Sequence, residues 1–118
     1  MEPKDLGKSS LGMQPHVEAL LSYLAGFVTG VIFYVLEREN KFVRFHAMQS
    51  IITFGGLFVL GFVVSIIFRF IPHVGWIISS LLWIANLILW ILLMVKAYQG
   101  EYFKLPVVGD IAEKQVNK

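Results

Sequence analysis

The chain contains no cysteine, only four prolines, and few charges: ten Lys or Arg and eight Asp or Glu among 118 residues. Without cysteine there is no disulfide framework, thiol nucleophile or cysteine-based metal site. A net charge of +2 is too small for the dense basic face that nucleic-acid binding requires, so no nucleic-acid partner is expected. Catalytic motifs are missing too: G-x-S-x-G, H-E-x-x-H, a P-loop and paired-carboxylate spacing do not occur. Glu18 and Glu37 fall at opposite ends of the first predicted helix, which argues against a dyad. His16, Glu18 and His73 fall at the same expected outer boundary of the membrane, but three scattered residues are a weak signal for a metal centre. No enzyme, cofactor or metal is expected.

Apolar residues fill the space that charge leaves. Hydrophobic side chains make up 57% of the sequence and aromatic ones 14%, with a mean hydropathy of +0.71. Ala19–Leu36 and Ser50–Phe68 run without any Asp, Glu, Lys, Arg, His, Asn or Gln, and Val74–Val95 is interrupted only by Asn86. A bilayer core of about 30 Å needs about 20 helical residues. Three such runs, with no strand-like alternation, predict an all-α polytopic membrane protein with three transmembrane helices in an antiparallel bundle. The first run is too long for a signal-peptide core.

The organisation follows. Residues 1–15 form a flexible polar tail, and 16–98 form the membrane domain, with spans over about 16–36, 45–70 and 75–98. Residues 99–118 form a tail with an interfacial segment. Pro72 and Gly75 mark the second connection, and Gly100 suits a helix C′ position. With three spans, Lys4, Lys8 and Arg69 share one side. Arg38, Lys41, Arg44, Lys96, Lys104, Lys114 and Lys118 share the other. The excess of cations predicts a cytoplasmic 37–44 loop and C-terminus, with the N-terminus outside, in a protein integral to the cell membrane.

Helix faces supply the candidate sites. His46, Gln49 and Thr53 form a polar stripe on the second helix that must face protein or water, because lipid would leave its groups without hydrogen bonds. With Asn86 from the third helix, the stripe either lines a path or binding groove in an oligomer, or locks helices together. Ser22, Gly26 and Gly30 form a small-xxx-small series that permits close helix approach, in an oligomer seam or within the monomer. Trp76, Trp83 and Trp90 recur every seven residues as a second packing seam, with Asn86 near mid-membrane to fix register. Arg38, Lys41 and Arg44 anchor one helix end at the headgroups. Glu101, Tyr102 and Phe103 are expected beside them, with Glu101 pairing with Arg44 or accepting from His46.

Two blocks carry a family resemblance. Phe42, Val43, His46, Ala47, Gln49 and Ser50 fit F-V-x-x-H-A-x-Q-[SA]. Gly100, Glu101, Phe103, Lys104 and Pro106 fit G-E-x-[FY]-[KR]-x-P. From about His16 to Lys114 the chain resembles the small, uncharacterised prokaryotic membrane proteins grouped with the Tic-twenty-like proteins. Plant members of that group are subunits of the chloroplast inner-envelope import machinery. The resemblance implies a non-enzymatic membrane component that self-associates as a homo-oligomer and contacts another membrane protein or polypeptide. A small oligomeric channel and a structural or lipid-organising protein are the alternatives, and membrane lipids are partners in each.

Overall fold

The computed structural model describes residues 7–117, in which all regular structure is helical. Lys4, Lys118 and the first six residues of the predicted tail lie outside them. Five helices follow in order: α1 (Pro15–Leu24), α2 (Phe27–Leu36), α3 (Lys41–Ile67), α4 (Pro72–Tyr98) and α5 (Val108–Val116). Proline opens α1 and α4, where its missing N–H costs nothing and its fixed φ suits the first turn. Asn40 caps α3, its side chain accepting from the Val43 N–H at 3.1 Å. Gly100, at φ +76°, closes α4 as its C′ residue. The Gly100 N–H donates to Ala97 O, and the Glu101 N–H reaches back to Lys96 O, both at 3.1 Å.

The predicted first span is not one helix. Gly26 takes φ +63° and ψ −136°, a conformation open to glycine but strained for any L side chain, and the chain reverses there. A straight helix from Glu18 to Glu37 would place them roughly 28 Å apart. Instead the Ser9 hydroxyl bonds both carboxyl groups. α1 and α2 are therefore the two arms of a hairpin, which enters and leaves at the same end of the molecule. Several of the backbone groups freed at its tip are met by side chains of the protein. Thr29 Oγ1 accepts the Ala25 N–H at 3.0 Å, Ser50 Oγ donates to Gly26 O at 2.9 Å, and Trp90 Nε1 donates to Tyr23 O at 2.8 Å. Irregular backbone at membrane depth survives only when it is satisfied in this way.

This hairpin corrects the expected antiparallel bundle of three transmembrane helices. Two helices, α3 and α4, are long and apolar enough to cross a membrane, each with 27 residues. α2, with ten residues, extends only about 15 Å. The expected N-terminal placement fails for the same reason. Asn40 Nδ2 donates to Lys8 O at 3.1 Å, so residues 8–10 lie at the same end as the 37–40 connection, not opposite it.

α1 packs on both α3 and α4, more extensively than those two pack on each other. The buried core accordingly sits toward this end, built from Ala19, Tyr23, Phe42, Phe54, Leu93 and Ala97. Gly30 lets α2 press onto α3, for a Cβ there would stand 2.9 Å from Ala47 O. Beyond the hairpin tip, α3 and α4 expose Phe58, Phe62, Ile66, Trp76 and Trp83, an apolar surface suited to hydrocarbon.

Candidate functional site

The packed end of the molecule holds two polar clusters. The first is centred on α3, where His46 and Gln49 are one turn apart and wholly buried. The segment 101–105 crosses this turn and offers its backbone. Because Glu101 O only accepts, His46 donates to it from Nε2 at 2.7 Å, leaving Nδ1 to accept from the Tyr23 hydroxyl at 2.6 Å. Tyr23 in turn accepts from Gln49 Nε2 at 2.9 Å. The remaining Gln49 groups bond the main chain: Nε2 donates to Phe103 O, and Oε1 accepts from the Leu105 N–H, both at 2.9 Å. The donors and acceptors of these three side chains interlock. The network ties α1, α3 and the segment after α4 into one block, and leaves neither N–H of Gln49's amide nor either ring nitrogen of His46 free to line a channel.

Tyr102 sits over the same turn, its ring 4.9 Å from Phe42 and 5.4 Å from Phe45. Glu101 accepts from His46, as expected, but through its main-chain oxygen. Its carboxylate pairs with Lys96 at 3.2 Å, so the anticipated Glu101–Arg44 pair is not formed. Lys96 also lies 5.7 Å over the Phe103 ring. Lys41 shares a recess with Phe45 and Tyr102.

The second cluster joins the N-terminal strap, residues 7–14, to the hairpin. Glu37 is fully buried and accepts four kinds of donor: Ser9 Oγ at 2.6 Å, the Ser10 N–H at 2.9 Å, and the Glu39 and Asn40 N–H groups at 3.1 Å. Ser9 has one hydroxyl proton yet bonds Glu18 as well. Donating to Glu37, it accepts from a protonated Glu18. Burial, aided by the neighbouring Glu37, pushes the Glu18 carboxyl up to about 7. Burial would also raise Glu37, but the protonated Glu18 beside it and the Ser10 and Ser9 donors outweigh that and hold it well below the usual carboxylate range. The two glutamates are thus a carboxylic acid and a carboxylate sharing one hydroxyl, although their places at opposite ends of the expected first helix argued against a dyad.

The remaining candidates separate. Thr53 is buried with its Oγ1 unpartnered. Asn86 does not join His46 and Gln49. It lines a cleft between α3 and α4 with Gly26, Phe54, Leu57 and Trp83, about 370 Å³ in volume, and its Oδ1 has no partner. Ser22 bonds the Glu18 main-chain oxygen at 3.1 Å, and Gly26 and Gly30 are used inside the chain, against Phe54 and α3. Of the tryptophan series only Trp90 is tied into the fold; Trp76 and Trp83 face outward. His16 stacks on Tyr98 at 5.0 Å, roughly 37 Å along α4 from His73, so those histidines do not share a boundary. Tyr23, Ser9 and Ser10 were missed. A phenol inside an apolar run was a signal, since its hydroxyl needs a buried partner. Two serines in a polar tail carry none.

Two membrane-length helices braced at one end by a helical hairpin define a small α-helical integral membrane protein. The chain belongs to the magnetosome magnetite crystal formation protein family, whose model matches residues 8–112. It is 59% identical over 109 residues to a UPF0132 membrane protein of Methanocaldococcus jannaschii, covering 92% of this chain and 94% of that one. A UPF0132 membrane protein of Archaeoglobus fulgidus is 47% identical over 104 residues, covering 88% and 97%. A second M. jannaschii relative is 50% identical over 105 residues, covering 89% and 72%. No solved structure matches the chain.

Proposed function

We propose that the protein is a non-enzymatic membrane scaffold that self-associates through the open α3–α4 face, as the Tic-twenty-like resemblance implies, and there contacts other polypeptides. The observation that carries this reading is the Asn86 side chain, whose Oδ1 is shielded from solvent and unpartnered in the α3–α4 cleft. An amide at that depth costs free energy until a donor reaches it, and a neighbouring helix supplies one. Gly61, Ser65 and Ser79 line the continuation of the cleft and permit close helix approach there. The channel alternative keeps only Thr53 and Asn86 of its four-residue lining, because His46 and Gln49 are engaged by Tyr23 and residues 101–105.

Orientation follows from charge. With Lys8 at the packed end beside Arg38, Lys41, Arg44, Lys96, Lys104 and Lys114, and Arg69 in the opposite turn, the packed end faces the cytoplasm. The N-terminal strap then lies inside as well.

The test is Förster transfer between differently labelled copies in lipid vesicles, read while lipid is added in excess. Wild-type transfer should exceed that of randomly placed proteins. Asn86→Leu should bring it to the random level, and Asn86→Gln should retain most of it. Random transfer in the wild type would overturn the reading.

A further inference from the structure

The junction of α2 and α3 holds a cationic group that the fold positions but does not neutralise. Arg44 Nη1 donates to Tyr34 O at 2.9 Å and to Glu37 O at 2.8 Å, and its guanidinium carbon lies 4.1 Å from the centroid of the Tyr34 ring. Those contacts fix the guanidinium plane while giving it no negative partner. Among the described residues the carboxylates in ion pairs are Glu101, Asp110 and Glu113, paired with Lys96 and Lys104, and neither Arg44 nor Arg38 takes part. Glu37, the nearest buried carboxylate in sequence, turns its oxygens to Ser9 and Ser10 instead. Arg38 is exposed and faces the same recess of about 530 Å³, whose other walls are Tyr34, Val35 and Val116.

A guanidinium held in place, with Nε and Nη2 still available, is arranged for a tetrahedral oxyanion, since its donor fork matches phosphate oxygens. The surroundings choose the source of that phosphate. The recess opens beside the outer face of α2, where Val28, Val31, Ile32 and Val35 are all exposed. In a bilayer that face meets acyl chains. We propose that Arg38 and Arg44 form a site for the phosphate of an anionic membrane lipid, whose chains lie along α2. This inference stands apart from self-association, because the α3–α4 cleft takes no part in it.

The experiment reads lipid retention. Wild-type protein, Arg38→Gln, Arg44→Gln and Arg44→Lys are reconstituted in equal mixtures of phosphatidylglycerol and phosphatidylcholine, gently extracted, and the bound lipid is identified by native mass spectrometry. The wild type should retain phosphatidylglycerol in preference. Each Arg→Gln change should cut that preference about fivefold, the effect of one cation near an anionic surface. Arg44→Lys should fall between, because it keeps charge and loses the fork. Arg38 has no packing role, so Arg38→Gln reads the site without disturbing the fold. Equal retention of both lipids by the wild type, or undiminished preference in Arg38→Gln, would overturn the proposal. Millimolar inorganic phosphate that displaces the lipid completely, with the same arginine dependence, would assign the site to a free anion and overturn the lipid reading.

Discussion

A single hydroxyl proton decides the state of the acid pair at Ser9. Held as an acid, Glu18 donates into the strap; ionised, it would face Glu37 with two negative charges around one proton. The unfolded Glu18 carboxyl releases its proton near 4.5 and the folded one near 7. Its contribution to strap docking is therefore complete below 4.5 and is lost as pH rises through about 7. Glu37 has the opposite sign: its folded value is depressed, so its contribution holds above 4.5 and is lost only in strong acid. Hydrogen-exchange protection of the Ser10 and Glu39 amides should fall between about pH 5 and pH 8. In Glu18→Gln, whose neutral amide still donates to Ser9, protection should be flat over that range. An equal slope in both proteins would sink the assignment. At this scale the legible residues were those with an obvious need. His46 and Gln49, at the start of a predicted span, had to find partners, and they do. Ser9 had no such need, and a serine in a polar tail looks the same whether docked or free.

The element that departs most from expectation is the hairpin, and one residue makes it. Ala19–Leu36 has the length and apolarity of a span, and small residues at positions 22, 26 and 30 suit a close-packed helix as well as a broken one. Hydropathy measures transfer into hydrocarbon, and both arrangements bury the same side chains there. What separates them is Gly26 at φ +63° and the side chains of Thr29, Ser50 and Trp90 that satisfy the opened turn. These partners lie 3, 24 and 64 residues along the chain, so a window on one segment misses them. Gly26→Ala should strain the turn by ~1 kcal/mol or more. The expected outcome is a measurable loss of thermal stability in detergent, larger than for Gly12→Ala, whose added Cβ meets nothing within 4 Å. Equal losses would show that the hairpin tip is no more sensitive to a strained φ than the exposed turn at Gly12. Because Gly12 also has a positive φ, the comparison isolates the effect of burial on the strain.

For the whole molecule, the hairpin brings residues 8–10 to the same end as the 37–40 connection. Lys8, the 37–40 connection and the segment after α4 meet at one end, while Arg69 and the exposed Phe70 mark the other. The absence of native cysteine makes this directly measurable. Single cysteines at Leu11, Glu39 and His73 give three reporters for a membrane-impermeant maleimide applied to sealed vesicles. Leu11 and Glu39 should label from the same side and His73 from the other. Labelling of Leu11 together with His73 would restore three spans and remove the hairpin.

Composition alone determined that this is a helical membrane protein, because burying three long apolar runs in water has no alternative outlet at this size. Pro72 and Gly100 bound α4 through local backbone chemistry, while α3 starts at Lys41, behind the Asn40 cap, ahead of the span expected from about 45. The tertiary structure decided the fate of the first run, the partners of His46 and Gln49, and the pairing of Glu18 with Glu37. Each depends on groups far apart in the chain meeting at one end. The physical reason is that a hydropathy pattern records how much free energy burial supplies, while hydrogen-bond satisfaction inside the packed protein determines which path the backbone takes to reach it.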